Sequence, residues 1–362
     1  MNTSSTPTTI NRRGRNGENG TAANDAGRKP LNENATADSS ATDSSAVGVA
    51  TLPISQALDS ETANEELWQE DVSEAITAGE RQLGSKPNYV VMFWIGMLHI
   101  GAVIAPFYFS WQAVVVALFL YWLTGSIGVC LGYHRLLTHT AFQTYQPVRW
   151  FVALIGGLSG EGSAVDWVAN HRKHHAHSDH DGDPHSPRDG AWWAHIFWLG
   201  WAIHGKEREA HVKRWAPDLV KDTGMRWLDL LFLPIHIGSG LALYGVGYAL
   251  GGTYMAISML LWGLFARIIL VMHATWLVNS ASHIWGYRNY ETTDDSRNNW
   301  WVAILTFGEG WHNNHHAYPR MAKQGHRWWE LDPTFAVIRI MQLCGLAWNV
   351  VDYRSKSKKK LG

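Results

Sequence analysis

Cysteine is nearly absent from this 362-residue chain: Cys130 and Cys344 stand alone, in no motif. That excludes a disulfide framework and a cysteine-ligated metal site, and both are expected to be free thiols. Charge is missing where it matters most. No Asp, Glu, Lys or Arg occurs from Pro87 to His134, nor from Leu230 to Ala266. With a formal net charge of −1 and no basic field through its body, the chain is not built to bind nucleic acid. The N-terminus has no apolar core of the kind that marks a cleavable signal peptide. Also missing are the HExxH zincin motif, a phosphate-binding loop and a GxSxG elbow.

What the charge-free stretches contain is apolar, and each is long enough for two bilayer-spanning helices of about 20 residues. Spans are predicted at about Tyr89–Phe109, Trp111–Leu131, Leu228–Leu250 and Met255–Asn279. Several of the 21 tryptophans fall near their ends, among them Trp94, Trp111, Trp122, Trp227 and Trp276, as suits the membrane interface. Two further apolar segments, Trp150–Gly160 and Ala191–Gly205, are too short to span and suit helices lying along the interface. The connections within each pair of spans carry no charge, whereas the segment from Gly132 to Trp227 and both chain ends carry Lys and Arg. The positive-inside rule then puts both termini and the long loop in the cytoplasm. The fold class expected is an all-α integral membrane protein: four transmembrane helices and a cytosolic helical cap holding a His-rich di-metal site.

Residues 1 to about 60 are rich in Ser, Thr, Asn, Ala and Gly and bury too little apolar surface to offset ordering entropy. Residues 62–83 suit a surface or linker helix. The organisation expected is an N-terminal tail over 1–84, a membrane domain over 85–350 and a basic tail over 351–362.

Eight histidines form three clusters at the polar flanks of the apolar runs: His134 and His139 in HRLLTH, His171, His174 and His175 in HRKHH, and His312, His315 and His316 in HNNHH. A ninth, His283, ends the segment TWLVNSASH, one helical turn after Asn279. Imidazole is the commonest metal ligand among side chains. Positions i, i+3 and i+4 share a helix face, so each HxxHH aims three rings into one volume. Nine imidazoles exceed the capacity of one ion, which implies two metals. Spacing does not name them, since imidazole suits Zn, Cu, Fe and Ni. Their place beside the membrane points to chemistry on an apolar chain, where cleaving an unactivated C–H bond needs an oxygen-activating metal.

The stretches GYHRLLTHTAFQ, WVANHRKHHAHSDHDGDPHSP, TWLVNSASHIWGYRNY and GEGWHNNHHAYP, in that order, closely resemble membrane fatty-acid desaturases of the delta-9 type across about residues 85–350. The resemblance implies two non-haem iron ions, O2 as co-substrate, and two electrons from an external donor such as ferredoxin or cytochrome b5. It implies a cis double bond made in a saturated C16 or C18 acyl chain carried on a glycerolipid or on CoA. It assigns His134, His139, His171, His174, His175, His283, His312, His315 and His316 to the irons, Asn279 to a water on one of them, and Trp167, Thr275 and Trp276 to the bend of a substrate tunnel. Animal acyl-CoA members place Arg-Asp before HxxHH and Arg-Lys after the next interfacial helix. Here those positions read Ala169-Asn170 and Ala202-Ile203, which is closer to cyanobacterial acyl-lipid enzymes, with Lys206 and Arg208 nearby.

Plainer readings stand beside these. Trp167 and Trp276 also suit interfacial tryptophans. His99, His236 and His273, in apolar segments, suit hydrogen bonds between helices. His177, His180, His185, Asp179, Asp181, Asp183, Asp294 and Glu309 suit either partners that orient ligating rings or an ordinary polar loop. Two other functions compete: a di-iron hydroxylase, and a metal transporter, which would place its ligands at the bilayer midplane.

Overall fold

The computed structural model describes residues 84–352. The N-terminal tail, the helix expected over 62–83 and most of the basic C-terminal tail lie outside the described residues. Among those described there are fourteen α-helices and no β-strand, only three isolated bridges.

Charge-free sequence becomes long helix because the backbone satisfies its own hydrogen bonds there, which lipid demands. Three runs are long and apolar enough to cross a membrane: Tyr89–Tyr108, Trp111–Thr138 and Phe232–Ile284. The first is α1 (Tyr89–Ile104) with a 3-10 turn, started by Asn88, whose side chain accepts from the Val91 amide at 3.2 Å. The second is α2 (Trp111–Trp122), which widens to a π-helix over Leu123–Thr138. It therefore runs seven residues past the predicted end at Leu131 and carries His134 with it. The third run holds α9 (Phe232–Leu260), a π-helical stretch at Leu261–Ala266, α10 (Arg267–Asn279) and α11 (Ala281–Ile284). It is not straight. Gly251 (φ −168, ψ 30) and Gly252 (φ 64, ψ −159) leave helical geometry, and the second lies in the left-handed region open to glycine. The arms on either side fold back antiparallel, so that Gly240 lies against Leu264, Leu243 against Gly263 and Gly247 against Ala256. Phe93, Val103 and Leu241 stay 74%, 69% and 69% exposed, which suits surfaces that face lipid rather than water.

The expected interfacial segment Trp150–Gly160 overlaps α3 (Gln146–Gly157), which begins four residues earlier. Ala191–Gly205 begins as α5 (Ala191–His195) and continues as a 3-10 turn at Phe197–Trp201. Between and after them come α4 (Ala164–His177), α6 (Gly205–Trp215), α7 (Pro217–Lys221) and α8 (Thr223–Leu230). The predicted span from Leu228 is shortened, because Leu231 separates α8 from α9. The rest comprises α12 (Trp300–Leu305), α13 (His312–Ala317) and α14 (Pro333–Leu343).

Two buried clusters hold the helices together. In one, Leu98 of α1 meets Ile268, Met272 and Trp276 of α10. In the other, Leu131, Leu136 and Leu137 of the π-helical segment meet α3 and α4 through Val152, Ala153, Val165 and Val168. Between apolar helices in lipid, close packing counts for more than hydrophobic transfer. One close backbone approach is Gly128 on Gly156: a Cβ at Gly128 would sit 2.6–2.7 Å from the Gly156 backbone. Backbone cannot move aside as a side chain can, so Gly128→Ala forces α2 and α3 apart. The expected cost is about 1–3 kcal/mol, read as a lower melting temperature of detergent-purified protein; an unchanged melting temperature would contradict this contact.

Candidate metal centre

The π-helical end of α2 contributes His134 and, one residue beyond it, His139. One face of α4 contributes His171, His174 and His175, α11 contributes His283, and the short α13 contributes His312, His315 and His316. The fold gathers all nine into two groups: His134, His139, His171, His175 and His315 in one, and His174, His283, His312 and His316 in the other. Within each group the nearest ring nitrogens lie within 4.8 Å of one another.

The contacts are nitrogen to nitrogen. Nε2 of His315 lies 3.0 Å from that of His134 and 2.9 Å from that of His175, which is 3.1 Å from Nε2 of His171. In the second group Nε2 of His312 is 3.0 Å from Nε2 of His283. Ligand bonds of about 2.0–2.1 Å from one ion put adjacent nitrogens about 3 Å apart.

Protonation shows which way the lone pairs point. Nδ1 of His134 is 2.6 Å from Glu309, that of His174 3.0 Å from Asp183, that of His283 2.7 Å from Asp179 and that of His316 2.5 Å from Asp294. An ionised carboxylate only accepts, so Nδ1 carries the hydrogen in each ring and the Nε2 lone pair faces inward. Inward lone pairs at 3 Å repel unless a cation lies among them. The Nε2 atoms of His139 and His316 are buried with no hydrogen-bond partner among the described residues. The donor set therefore fits two imidazole-bound metal ions.

The electrostatics agree. Burial first, then neighbouring imidazoles, holds His139, His171, His175, His312 and His315 well below the ordinary histidine range, so these rings are neutral and free to ligate. For His174 burial acts downward, but Asp183 outweighs it and raises the ring. The carboxylates go the other way. Burial opposes ionisation, yet contacts with His283 and with Arg135 and His134 bring Asp179 and Glu309 down to about 2, and Asp183 and Asp294 are also lowered. Glu309 is further braced by Arg135 at 3.0 Å, whose guanidinium also binds Asp332 at 2.9 Å.

Four of the acids in the polar loops thus orient ligating rings. Asp181 does not share that role: its backbone carbonyl accepts from Nδ1 of His177 at 3.0 Å. Of the histidines in apolar segments, His99 and His273 bond each other across α1 and α10 at 3.2 Å, whereas His236 turns to its own helix at Phe232, 2.8 Å away.

An apolar cavity of about 380 Å³ runs from the His171 end of the centre. Trp167, Thr275, Trp276 and Asn279 all line it, beside Trp94, Trp198 and Met272. Trp167 stacks on His171 at 4.8 Å between ring centroids, and Trp276 is buried against His195 and His273, so neither serves as a free interfacial ring. Asn279 sits in the cavity wall.

The residue sequence reasoning missed is Glu161. It joins the two sides of the cavity by accepting from Trp167 Nε1 at 3.0 Å and Thr275 Oγ1 at 2.7 Å. Its signal was visible: it is the only charged residue between Arg149 and Asp166. Burial pushes its carboxyl up to about 7 from 4.5, against the pull of the Thr275 and Trp167 hydrogen bonds.

Residues 109–345 match the profile of the fatty acid desaturase family. The chain is 48% identical over 266 residues to the sn-1 stearoyl-lipid 9-desaturase of Anabaena variabilis, covering 73% of this chain and 93% of that protein. It is 45% identical over 275 residues to the sn-2 palmitoyl-lipid 9-desaturase of Nostoc sp. (strain 36), covering 76% and 94%. An acyl-CoA 5-desaturase of Anemone leveillei is 40% identical over 267 residues, covering 74% and 80%.

The shift at Glu161 has a definite sign. A carboxyl whose folded value lies above its unfolded one destabilises the fold increasingly as pH rises between the two. Glu161→Gln keeps an acceptor for Trp167 and removes the buried charge. The variant should therefore gain stability over wild type from about pH 4.5 to about 7, with titration of the histidines common to both proteins. Parallel melting-temperature profiles with no widening gap would refute a raised Glu161.

Proposed function

Because this chain belongs to the fatty acid desaturase family, we propose that it uses O2 to introduce a cis double bond between carbons 9 and 10 of a saturated C16 or C18 chain esterified to a membrane glycerolipid. The single observation that carries this reading is that an apolar cavity reaches a pair of inward-facing imidazole groups, meeting the first of them at His171. The carbon-9 position and the lipid carrier are supported by the relatives in Anabaena and Nostoc, whose names specify both.

The nine histidines hold two iron ions, and Asn279 holds a water on one of them. When bound, the irons supply the activation of O2 that breaking an unactivated C–H bond requires. The reaction balances as one –CH2–CH2– unit, one O2, two electrons and two protons giving –CH=CH– and two waters. The electrons come from an external donor such as ferredoxin or cytochrome b5. The chain's own residues do the positioning. Asp179, Asp183, Asp294 and Glu309 fix ring tautomers and orientation. Trp167, Thr275 and Trp276 shape the cavity at its bend, with Glu161 tying the first two together, so that one pair of methylenes approaches the centre. The apolar lining excludes water from the reacting carbons.

The desaturase domain is residues 85–350. It crosses the membrane four times, at Tyr89–Tyr108, at the helix from Trp111 and at the two arms flanking Gly251–Gly252, with both termini and the metal centre on the cytoplasmic side. The charge-free stretches and the fold-back at those glycines support this. Reporters fused after Gly251 and at Gly362 should lie on opposite sides of the membrane, and signals from the same side would count against four crossings.

Expression in a desaturase-deficient host, with product derivatisation, tests the activity. The expected product carries its cis bond between carbons 9 and 10; a hydroxylated chain, or a bond consistently elsewhere, contradicts it. Purified protein should hold about two irons per chain, the number implied by two ligand groups. His315→Ala should abolish turnover, and stoichiometric zinc in active enzyme would exclude the iron assignment.

A further inference from the structure

One part of the cavity wall is polar and partly open to solvent, with the Arg208 side chain 33% accessible, and its charge is unusual. Among the described residues, Arg208 of α6 is the only lysine or arginine that lines the cavity. Its Nε and one terminal nitrogen grip both oxygens of Asp166 at 2.6 and 2.9 Å, and the same terminal nitrogen reaches Asp229 at 2.6 Å. Two carboxylates against one guanidinium leave the trio with a formal charge of −1. Neither nearby lysine lines the cavity. Lys206 is exposed and outside the cavity lining, and Lys173 is buried, only 2% exposed. The neutral groups at the rim, Asn170 and His211, bond each other at 3.0 Å.

We propose that Asp166 and Asp229 make this rim a carrier filter: they occupy the one arginine that would otherwise bind phosphate and leave a net negative mouth that rejects phosphate-rich soluble carriers such as CoA. The inference rests on the acyl-lipid reading and supplies its physical cause. A bidentate arginine–carboxylate pair uses the same planar fork that would hold a phosphate. A CoA ester brings several negative phosphate oxygens to the mouth, where they meet two carboxylates and no free guanidinium. A glycerolipid whose acyl chain enters from the bilayer need not place phosphate there. Specificity can come from rejecting the wrong carrier through like charge as well as from attracting the right one.

The test compares turnover of stearoyl-CoA with that of a stearoyl-bearing glycerolipid in one bilayer preparation, with one reducing system. In Asp166→Asn/Asp229→Asn the ratio of CoA to lipid turnover should rise about tenfold, roughly one charge-assisted hydrogen bond to phosphate. That gain should shrink with added salt. Arg208→Gln, which keeps both carboxylates, should give no rise. An unchanged ratio in the folded double variant overturns the proposal. Should the double variant fail to fold, free CoA added to wild-type enzyme turning over lipid gives the answer: no inhibition at millimolar CoA supports the filter, and micromolar inhibition overturns it. Wild-type enzyme that uses the CoA ester and ignores the lipid defeats the acyl-lipid reading itself. Wild-type enzyme that uses lipid, with no change of ratio in the variant, defeats only the role of the rim.

Discussion

Nine imidazoles brought lone pair to lone pair form a repulsive arrangement, and the structure depends on how that repulsion is managed. Four buried carboxylates, Asp179, Asp183, Asp294 and Glu309, each accept a hydrogen bond from Nδ1–H of one ring and thereby turn its Nε2 inward. The carboxylates are costly to bury and are held ionised by those same contacts and by Arg135 beside Glu309. Each half steadies the other, and a cation between the rings would relieve the repulsion that remains. Asp179 shows how far this reaches: it also accepts from the Asp295 amide at 2.8 Å and from Ser186, tying the loop after α4 to the loop before α12.

The helices supply the rigidity that such a site requires. The π-helical stretch at Leu123–Thr138 ends with the His139 amide bonded to the His134 carbonyl at 3.2 Å. Wide turns of this kind recur at functional sites. Here the turn sets the register of two rings in the same group. Packing at Gly128 and Gly156 then fixes that helix against α3, whose end leads through Gly160 to Glu161 and the cavity wall. Metal centre and cavity are therefore placed by one continuous piece of packing, as the proposed chemistry requires, since a small displacement would present different methylenes to the metals.

Much of this was legible in the order of residues. Long runs without charge must become self-satisfied helices in lipid, and HxxHH must place its rings on one helix face, because both follow from the backbone and its period. Hence the helical class and the nine clustered histidines were readable in the chain itself, whereas Trp167, Thr275 and Trp276 were indicated only by the resemblance to desaturases. Which histidines share a group was not: His174 and His175 are adjacent in sequence yet belong to different groups. Their separation depends on how α4 meets α11 and α13, and those contacts are long-range. Nor did the sequence distinguish Asp179 and Asp183, which orient rings, from Asp181 between them, which does not. The same holds at the rim, where Arg208 reads as a free cation until Asp166 and Asp229 arrive from other helices to occupy it. Local pattern determined which side chains are available and on which face of a helix they lie. Only tertiary structure decided which of them meet, because hydrogen bonds and charge pairs form between residues far apart in the chain.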